Sequence, residues 1–118
     1  MNKILTAYLT CALWSSTQDN EKPFDSDFGI EDFAPESVKS AENEINSFLS
    51  LLEAENILWE EHLGEEQFGH DFWLTRNRHG AGFWDRGLGS LGEKLTKWAH
   101  SYGSSDVYLG DDGKVYLS

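Results

Sequence analysis

The stretch from Gly69 to Gly87 constrains the fold of this 118-residue chain more than any other. It reads GHDFWLTRNRHGAGFWDRG and holds two of the five tryptophans, two of the four histidines and all three arginines. Large aromatic rings, ionisable groups and glycines that permit tight turns occur together here as nowhere else in the chain. The sequence therefore predicts that the other segments are arranged around this stretch.

The composition of this stretch favours a β-hairpin. Residues 68–77 have the aromatic and branched content of a strand, and strand alternation assigns Phe72 and Leu74 to the core. The glycines at positions 80 and 82 permit a turn across 78–82, after which residues 83–86 return as a second strand. We therefore expect a hairpin over 68–86.

Three helices are predicted from apolar residues that recur every three or four positions. The first lies within residues 1–16, where a signal peptide is the alternative because the chain starts with a charge and an apolar run. The second begins at Pro35, which suits a first helical position, and runs to about Glu55; Leu49, Leu51 and Leu58 widen its apolar face. The third covers roughly 89–102. Residues 59–67 are compatible with a further short helix.

Two other segments complete the predicted architecture. Residues 17–34 are acidic and contain Pro23 and Gly29, so we expect an irregular segment pinned to the core by its phenylalanines. Near the C-terminus, two alternating runs flank the sequence Asp-Asp-Gly at 111–113, which is a strong signal for a β-hairpin over 106–117.

The predicted fold class is α+β, with a single domain over residues 1–118. Two or three helices pack on one face of a small antiparallel sheet built from the two hairpins. An acidic helical part occupies about 1–67, and a hairpin–helix–hairpin part occupies about 68–118. Cys11 is the single cysteine, which excludes an intramolecular disulfide and suits either a reducing compartment or a buried position.

The net charge of −12 is carried by the first 69 residues, where fifteen acidic residues stand against three lysines; residues 70–118 are neutral. Such a field repels nucleic acid and anionic membranes and attracts basic protein surfaces. Direct nucleic-acid binding is not expected, because it needs clustered Lys and Arg. The candidates for an acidic partner-binding surface are Asp25, Asp27, Glu31, Asp32, Glu42, Glu53, Glu60, Glu61, Glu65 and Glu66.

Four segments together resemble a family of small proteins encoded by bacteriophages and prophages: TAYLTCALWSS, FGIEDFAPES, GHDFWLTRNRHGAGFWDRG and VYLGDDGKVYL. The resemblance covers nearly the whole chain. It implies a phage-encoded accessory protein that acts in the cytoplasm of the bacterial host. It supplies no catalytic residues, because the family has no assigned enzymatic activity.

The central stretch supports two interpretations. Arginine, histidine and tryptophan on a hairpin are typical of a protein-binding hot spot, and the candidates are Arg76, Arg78, His79, Trp84 and Arg86. Alternatively, a histidine and an aspartate form a base and its orienter beside an anion-stabilising arginine. That ligand cluster comprises His70, Asp71, Arg76, His79 and Asp85. No metal and no cofactor are expected, since the stretch has neither HxH, HxxxH nor CxxC, and its glycines match no phosphate loop.

Two functional hypotheses follow from these features. In the first, the chain is a non-enzymatic protein that binds a host protein and inhibits or modulates it. As a special case of this hypothesis, the chain is an anti-defence protein whose carboxylates occupy the nucleic-acid site of the host protein. In the second, it is a small hydrolase or a small-ligand-binding protein that uses the ligand cluster. A virion component is a weaker third possibility, because the chain is short and has no repeats.

Overall fold

The structure is a computed structural model that describes all 118 residues. It contains four α-helices and one two-stranded antiparallel sheet, so the fold class is α+β as predicted. The helices are α1 (Lys3–Ser15), α2 (Pro35–Ala54), α3 (Glu65–Arg76) and α4 (Ser90–His100), and the strands are β1 (Val107–Leu109) and β2 (Val115–Leu117). Single 3-10 turns occur at Phe24–Ser26, Ile30–Asp32, Trp59–Glu61 and Phe83–Asp85.

The prediction of a β-hairpin over 68–86 is wrong, and so is the helix count of two or three. Residues 65–76 form α3, and the expected return strand is the 3-10 turn Phe83–Asp85. Burial explains the error. Eight of the twelve residues of α3 are buried, and they include Asp71, Thr75 and Arg76, so polar and apolar residues do not separate into two faces with a 3.6-residue period. Its aromatic composition then resembles that of a strand.

Local signals mark both ends of α3. Glu65 and Glu66 lie in its first turn, where the positive end of the helix dipole favours acidic side chains. At the other end, Arg78 takes a left-handed conformation with φ 57°. The His79 N–H donates to the Leu74 carbonyl at 3.0 Å, and the Arg78 N–H donates to that of Thr75 at 3.0 Å. These two bonds form a Schellman motif, with arginine in the position that glycine usually takes.

Helix α3 packs most extensively against α1, which is a core helix as its periodicity predicts. Gly69 permits the close approach, because a methyl group there would collide with the Ile4 carbonyl oxygen. Aromatic contacts continue the core: Tyr8 meets Trp73 edge-on at 5.3 Å between ring centroids. The neighbouring ring of Phe72 stacks on Phe48 of α2 at 4.2 Å.

The C-terminal hairpin is confirmed. Val107 pairs with Leu117, and Leu109 pairs with Val115. The hairpin is attached to the start of α2, where the Ala34 N–H donates to the Val115 carbonyl at 2.8 Å. The sheet therefore covers one end of α2, and the helices surround α3 rather than packing together on the face of a sheet.

Candidate functional site

The C-terminus of α2 determines which side chains reach the surface beside it. Asn56 takes a left-handed conformation with φ 56°. The Ile57 N–H donates to the Leu52 carbonyl at 2.9 Å, and the Asn56 N–H donates to that of Glu53 at 3.1 Å. This Schellman motif stops the helix and returns Ile57 to the core beside Leu52, since both residues are buried. The helix ends before Leu58, so this leucine does not widen its apolar face.

Leu58 lies between two buried anchors. Ile57 precedes it, and the buried ring of Trp59 follows it and stacks on Phe68 at 4.0 Å between centroids. Because both neighbours point inward, Leu58 is directed into solvent and is 62% exposed. An apolar side chain is thereby held at the surface by the packing on either side of it.

Acidic side chains surround Leu58. Residues 56–58 line two open depressions. The larger one, of about 620 Å³, is also lined by Leu49 and three glutamates. The smaller one, of about 260 Å³, is also lined by Leu91 and a fourth glutamate. His62 and Lys94 also line the smaller depression. All four carboxylates are exposed. We refer to these residues as the Leu58 surface: Leu49, Leu58 and Leu91 with Glu53, Glu60, Glu61 and Glu65.

The other acidic candidates lie apart from the Leu58 surface. Asp32 accepts a hydrogen bond from the Gly29 N–H at 2.8 Å and so caps a 3-10 turn. Asp27 accepts from the Gln18 amide at 2.9 Å, and Glu42 lies 3.4 Å from the Lys39 ammonium. Asp25 and Glu31 are exposed on other segments, and Glu66 follows Glu65 on α3 but lines the groove between α1 and α3. Of the ten acidic candidates, only the four glutamates therefore share an apolar centre.

An ion pair with a fully buried carboxylate and a partly exposed guanidinium joins two parts of the central stretch. Asp71 has no exposed surface, and its carboxylate accepts hydrogen bonds from Arg86 Nε at 3.0 Å and Nη2 at 2.8 Å. Gln67 donates a third bond at 2.9 Å. The hydrogen bonds to Asp71 raise the pKa of Arg86 above its usual value. This pair fixes the loop after α3 against the helix.

Arg76 is buried, so it does not lie on the predicted partner surface. Its guanidinium donates to the Tyr8 hydroxyl at 2.9 Å, to the Glu44 carboxylate at 2.8 Å, and to two carbonyl oxygens after α4. Burial raises the pKa of Tyr8 to about 12, although the charge of Arg76 opposes that shift. All of these contacts lie inside the fold, so Arg76 joins helices rather than meeting a partner.

The other central-stretch candidates are more exposed. Arg78 and His79 are exposed immediately after α3, and Trp84 is 45% exposed in the 3-10 turn that follows. The side chain of Arg86 is 30% exposed beside its partner Asp71. Four of the five predicted partner-binding residues are thus accessible to some degree, and they come from a loop rather than a hairpin.

The five residues of the alternative ligand cluster do not line a common cavity. Asp71 and Arg76 are each engaged inside the fold by other groups, whereas His79 and Asp85 are exposed on the loop. His70 alone among them lines a groove between α1 and α3, and its ring packs against the Trp14 ring at 5.6 Å. No set of three or more His, Cys, Asp or Glu side chains is arranged to hold a metal ion.

Sequence reasoning identified the glutamates of the Leu58 surface but missed the exposure of its leucine. The signal in the sequence was the run Ile57-Leu58-Trp59, which lies between glutamates. When the first and third of these apolar residues are buried, the second is directed outward. No helix combines the length and the apolar composition needed to cross a membrane. No protein-family model, curated protein or solved structure matches the chain.

Proposed function

We propose that this chain is a phage-encoded accessory protein that acts by binding a host protein rather than by catalysis. In this proposal the Leu58 surface docks on a partner surface that is apolar at its centre and basic around it. The phage origin and the bacterial cytoplasm rest on the sequence resemblance described above. The binding role rests on the geometry around Leu58.

The observation that carries this proposal is an exposed leucine surrounded by four glutamates. Protein interfaces commonly have an apolar centre that becomes fully buried and a polar rim that stays close to water. Leu58, between Leu49 and Leu91, supplies such a centre, and the carboxylates supply the rim. An acidic surface that served only for solubility would not require a leucine held outward in its middle.

Charge determines the kind of partner. A cluster of carboxylates on a chain of net charge −12 accelerates encounter with basic surfaces and disfavours acidic ones. Basic protein surfaces with apolar or aromatic centres are common where proteins hold single-stranded nucleic acid. A nucleic-acid-binding site on a host protein is therefore the partner surface that we propose, with the glutamates opposite its lysines and arginines.

The arrangement of the central stretch supports a non-enzymatic role. General acid–base chemistry needs a base, an orienter and an anion-stabilising group within reach of one substrate atom. Here Arg76 is committed to Tyr8 and Glu44, and Asp71 is committed to Arg86. The arginine and the buried aspartate of the hydrolase alternative are thus already used within the fold.

The proposal is tested by affinity capture from bacterial lysate with three immobilised proteins. These are the wild type, a Leu58-surface variant carrying Glu53→Gln, Glu60→Gln, Glu61→Gln and Glu65→Gln, and a control that loses four charges elsewhere. The control carries Asp19→Asn, Asp25→Asn, Glu31→Gln and Asp106→Asn, which are all at exposed positions. We expect a host protein to be retained by the wild type and the control but not by the Leu58-surface variant. Equal retention by all three would refute the proposal.

Nucleic-acid mimicry is tested with the purified partner. If the carboxylates oppose a basic nucleic-acid site, affinity should fall steeply as salt rises, because exposed charge pairs are screened. Single-stranded nucleic acid should also compete with the chain for the partner. Binding that tolerates high salt and is not competed by nucleic acid would contradict mimicry. It would remain compatible with docking through Leu58, and Leu58→Ser should then abolish binding to the partner.

A further inference from the structure

A second surface lies on α1 and α3 beside the Leu58 surface and has chemistry that the Leu58 surface does not use. The groove between α1 and α3 has a volume of about 590 Å³ and is lined mainly by polar side chains. It receives Lys3 from the start of α1, His70 from α3 and Arg86 from the loop after α3. Three basic side chains from separate elements therefore line one groove of a strongly acidic protein.

The hydrogen-bonding capacity of these three side chains is largely unused within the chain. The Lys3 ammonium and the His70 ring make no hydrogen bond or ion pair to another residue, and Arg86 bonds Asp71 through Nε and Nη2 only, which leaves Nη1 available. A guanidinium held by a buried carboxylate has already lost its side-chain freedom. It can therefore bind a ligand with less entropic cost than a mobile arginine.

The start of α1 adds to this positive character. Asn2 caps α1 by accepting from the Leu5 N–H at 2.8 Å, but it is uncharged and the first turn contains no acidic residue, so no negative charge neutralises the positive end of the dipole. Lys3 and Thr6, both in that region, line the groove. Helix N-termini with available N–H groups attract carboxylate and phosphate groups.

Two carboxylates also belong to this region. Asp71 is fully buried and accepts three hydrogen bonds, two of them from Arg86, so the charges of Asp71 and Arg86 compensate each other. Glu66 is exposed on the groove and opposes an anion. The distant acidic residues act weakly, because charges more than about 8 Å apart in solvent are largely screened at physiological salt.

We propose that the groove between α1 and α3 binds a small oxyanion, a carboxylate or a phosphate group, between Lys3, His70 and Arg86. The Lys3 ammonium supplies the uncompensated charge, and Arg86 Nη1 and the His70 ring supply further hydrogen-bond donors. None of these three side chains belongs to the Leu58 surface.

The test is an NMR titration of the full-length, isotope-labelled chain with sodium phosphate and, separately, with sodium acetate. Sodium chloride at matched ionic strength is the reference. We expect saturable shifts at the Lys3 and Thr6 amides, the His70 ring and the Trp14 indole N–H with at least one oxyanion and none with chloride. The anion that saturates identifies the ligand chemistry. Shifts that never saturate, or that chloride reproduces, would overturn the proposal.

Surface variants sharpen this test without disturbing the pair of Asp71 and Arg86. Lys3→Gln should weaken oxyanion binding by about fivefold, as expected for one partly solvated charge contact. Lys39→Gln removes the same charge from an exposed position on α2 and should leave affinity unchanged. Glu66→Gln should strengthen binding by a similar factor because it removes the opposing carboxylate. Equal effects of the two lysine variants, or weaker binding by Glu66→Gln, would also refute the site.

Discussion

Arg76 on α3 donates a hydrogen bond from Nη1 to the hydroxyl of Tyr8 on α1, at 2.9 Å and inside the core. The same nitrogen reaches the Glu44 carboxylate of α2 at 2.8 Å. Nε and Nη2 donate to the carbonyl oxygens of Gly103 and Tyr102, which follow α4. One side chain therefore connects three helices with the segment that leads into the sheet.

We expect Arg76→Met to lower the free energy of unfolding by about 3 kcal/mol. This value is in the lower part of the range for breaking a buried ion pair, because the partly exposed Glu44 can turn toward solvent. The substitution keeps much of the side-chain volume but leaves the Tyr8 hydroxyl and two carbonyls without their donor. Urea denaturation measures the change. Arg78→Met, at an exposed position, should stay within about 0.5 kcal/mol of the wild type. Equal losses from the two variants would contradict this role.

The pair of Asp71 and Arg86 should show strong coupling. Arg86→Ala leaves a fully buried carboxylate with Gln67 as its remaining side-chain partner, so we expect a loss of about 3 kcal/mol. Asp71→Asn in that background should recover part of the loss because it removes the buried charge. A double-mutant cycle by urea denaturation should give a coupling energy of about 1–3 kcal/mol. Additive losses would show that the two side chains act separately.

Gly69 should not tolerate a side chain. A methyl group at this position meets the Ile4 carbonyl oxygen, and because backbone cannot rotate away, α1 and α3 must separate. We expect Gly69→Ala to cost about 2 kcal/mol despite the better helix propensity of alanine. Gly80→Ala is the matched control, since nothing lies within 4 Å of its added carbon. Thermal denaturation should separate the two variants, and equal melting temperatures would contradict the close contact.

Cys11 should be unreactive in the folded protein. It is buried, and desolvation raises the pKa of its thiol to about 12, so the nucleophilic thiolate is scarce near neutral pH. A thiol reagent at pH 8 should therefore modify the native chain far more slowly than the chain in denaturing urea. Modification at similar rates in both conditions would show that α1 opens readily from the core.

The side chains of Asp112 and Tyr116 should titrate as a linked pair in the C-terminal hairpin. The Tyr116 hydroxyl donates to the Asp112 carboxylate at 2.6 Å, which lowers the pKa of Asp112 and raises that of Tyr116 to about 12. Because the pKa of Asp112 is lower in the folded state, its ionised form stabilises the fold at pH values above the pKa that Asp112 has in the unfolded chain. This stabilisation is lost as the pH falls through the pKa of the folded state. Because the pKa of Tyr116 is higher in the folded state, its protonated form stabilises the fold at pH values below the pKa that Tyr116 has in the unfolded chain. This stabilisation is lost as the pH rises through about 12.

An NMR pH titration tests this linkage. Tyr116→Phe removes the donor and should move the pKa of Asp112 upward, toward its ordinary value. Tyr108→Phe is a suitable control, because Tyr108 stacks on Tyr116 at 5.5 Å but makes no hydrogen bond to Asp112. An unchanged titration of Asp112 in the Tyr116 variant would exclude the hydrogen bond.

The predicted elements that are confirmed are those with one buried face. In α2, Ala41, Ile45, Phe48 and Leu52 recur at intervals of three or four and are all buried, while the glutamates between them are not. The C-terminal hairpin was equally predictable, because its turn residues and alternating strands are local features. Helix α3 was missed because its buried residues include Asp71, Thr75 and Arg76, which obscures the division into polar and apolar faces that marks a helix in sequence.

The candidate site was only partly predictable for a related reason. Glu60 and Glu65 were identified from charge alone, but their position around Leu58 depends on how Ile57 and Trp59 enter the core. Arg76 was expected at the surface. It is buried because it bonds to Tyr8, which lies 68 residues away in sequence, and no local sequence pattern predicts a contact over that separation.

The amino-acid sequence by itself determined the amphipathic helices, the final hairpin and the concentration of negative charge before residue 70. These follow from spacing and composition, which act between near neighbours along the chain. Only the tertiary structure decided that α3 is a buried helix and that Arg76 and Asp71 are internal, because those outcomes depend on partners brought together through space. A charged side chain stays in the core only where another segment supplies its counter-charge or acceptors.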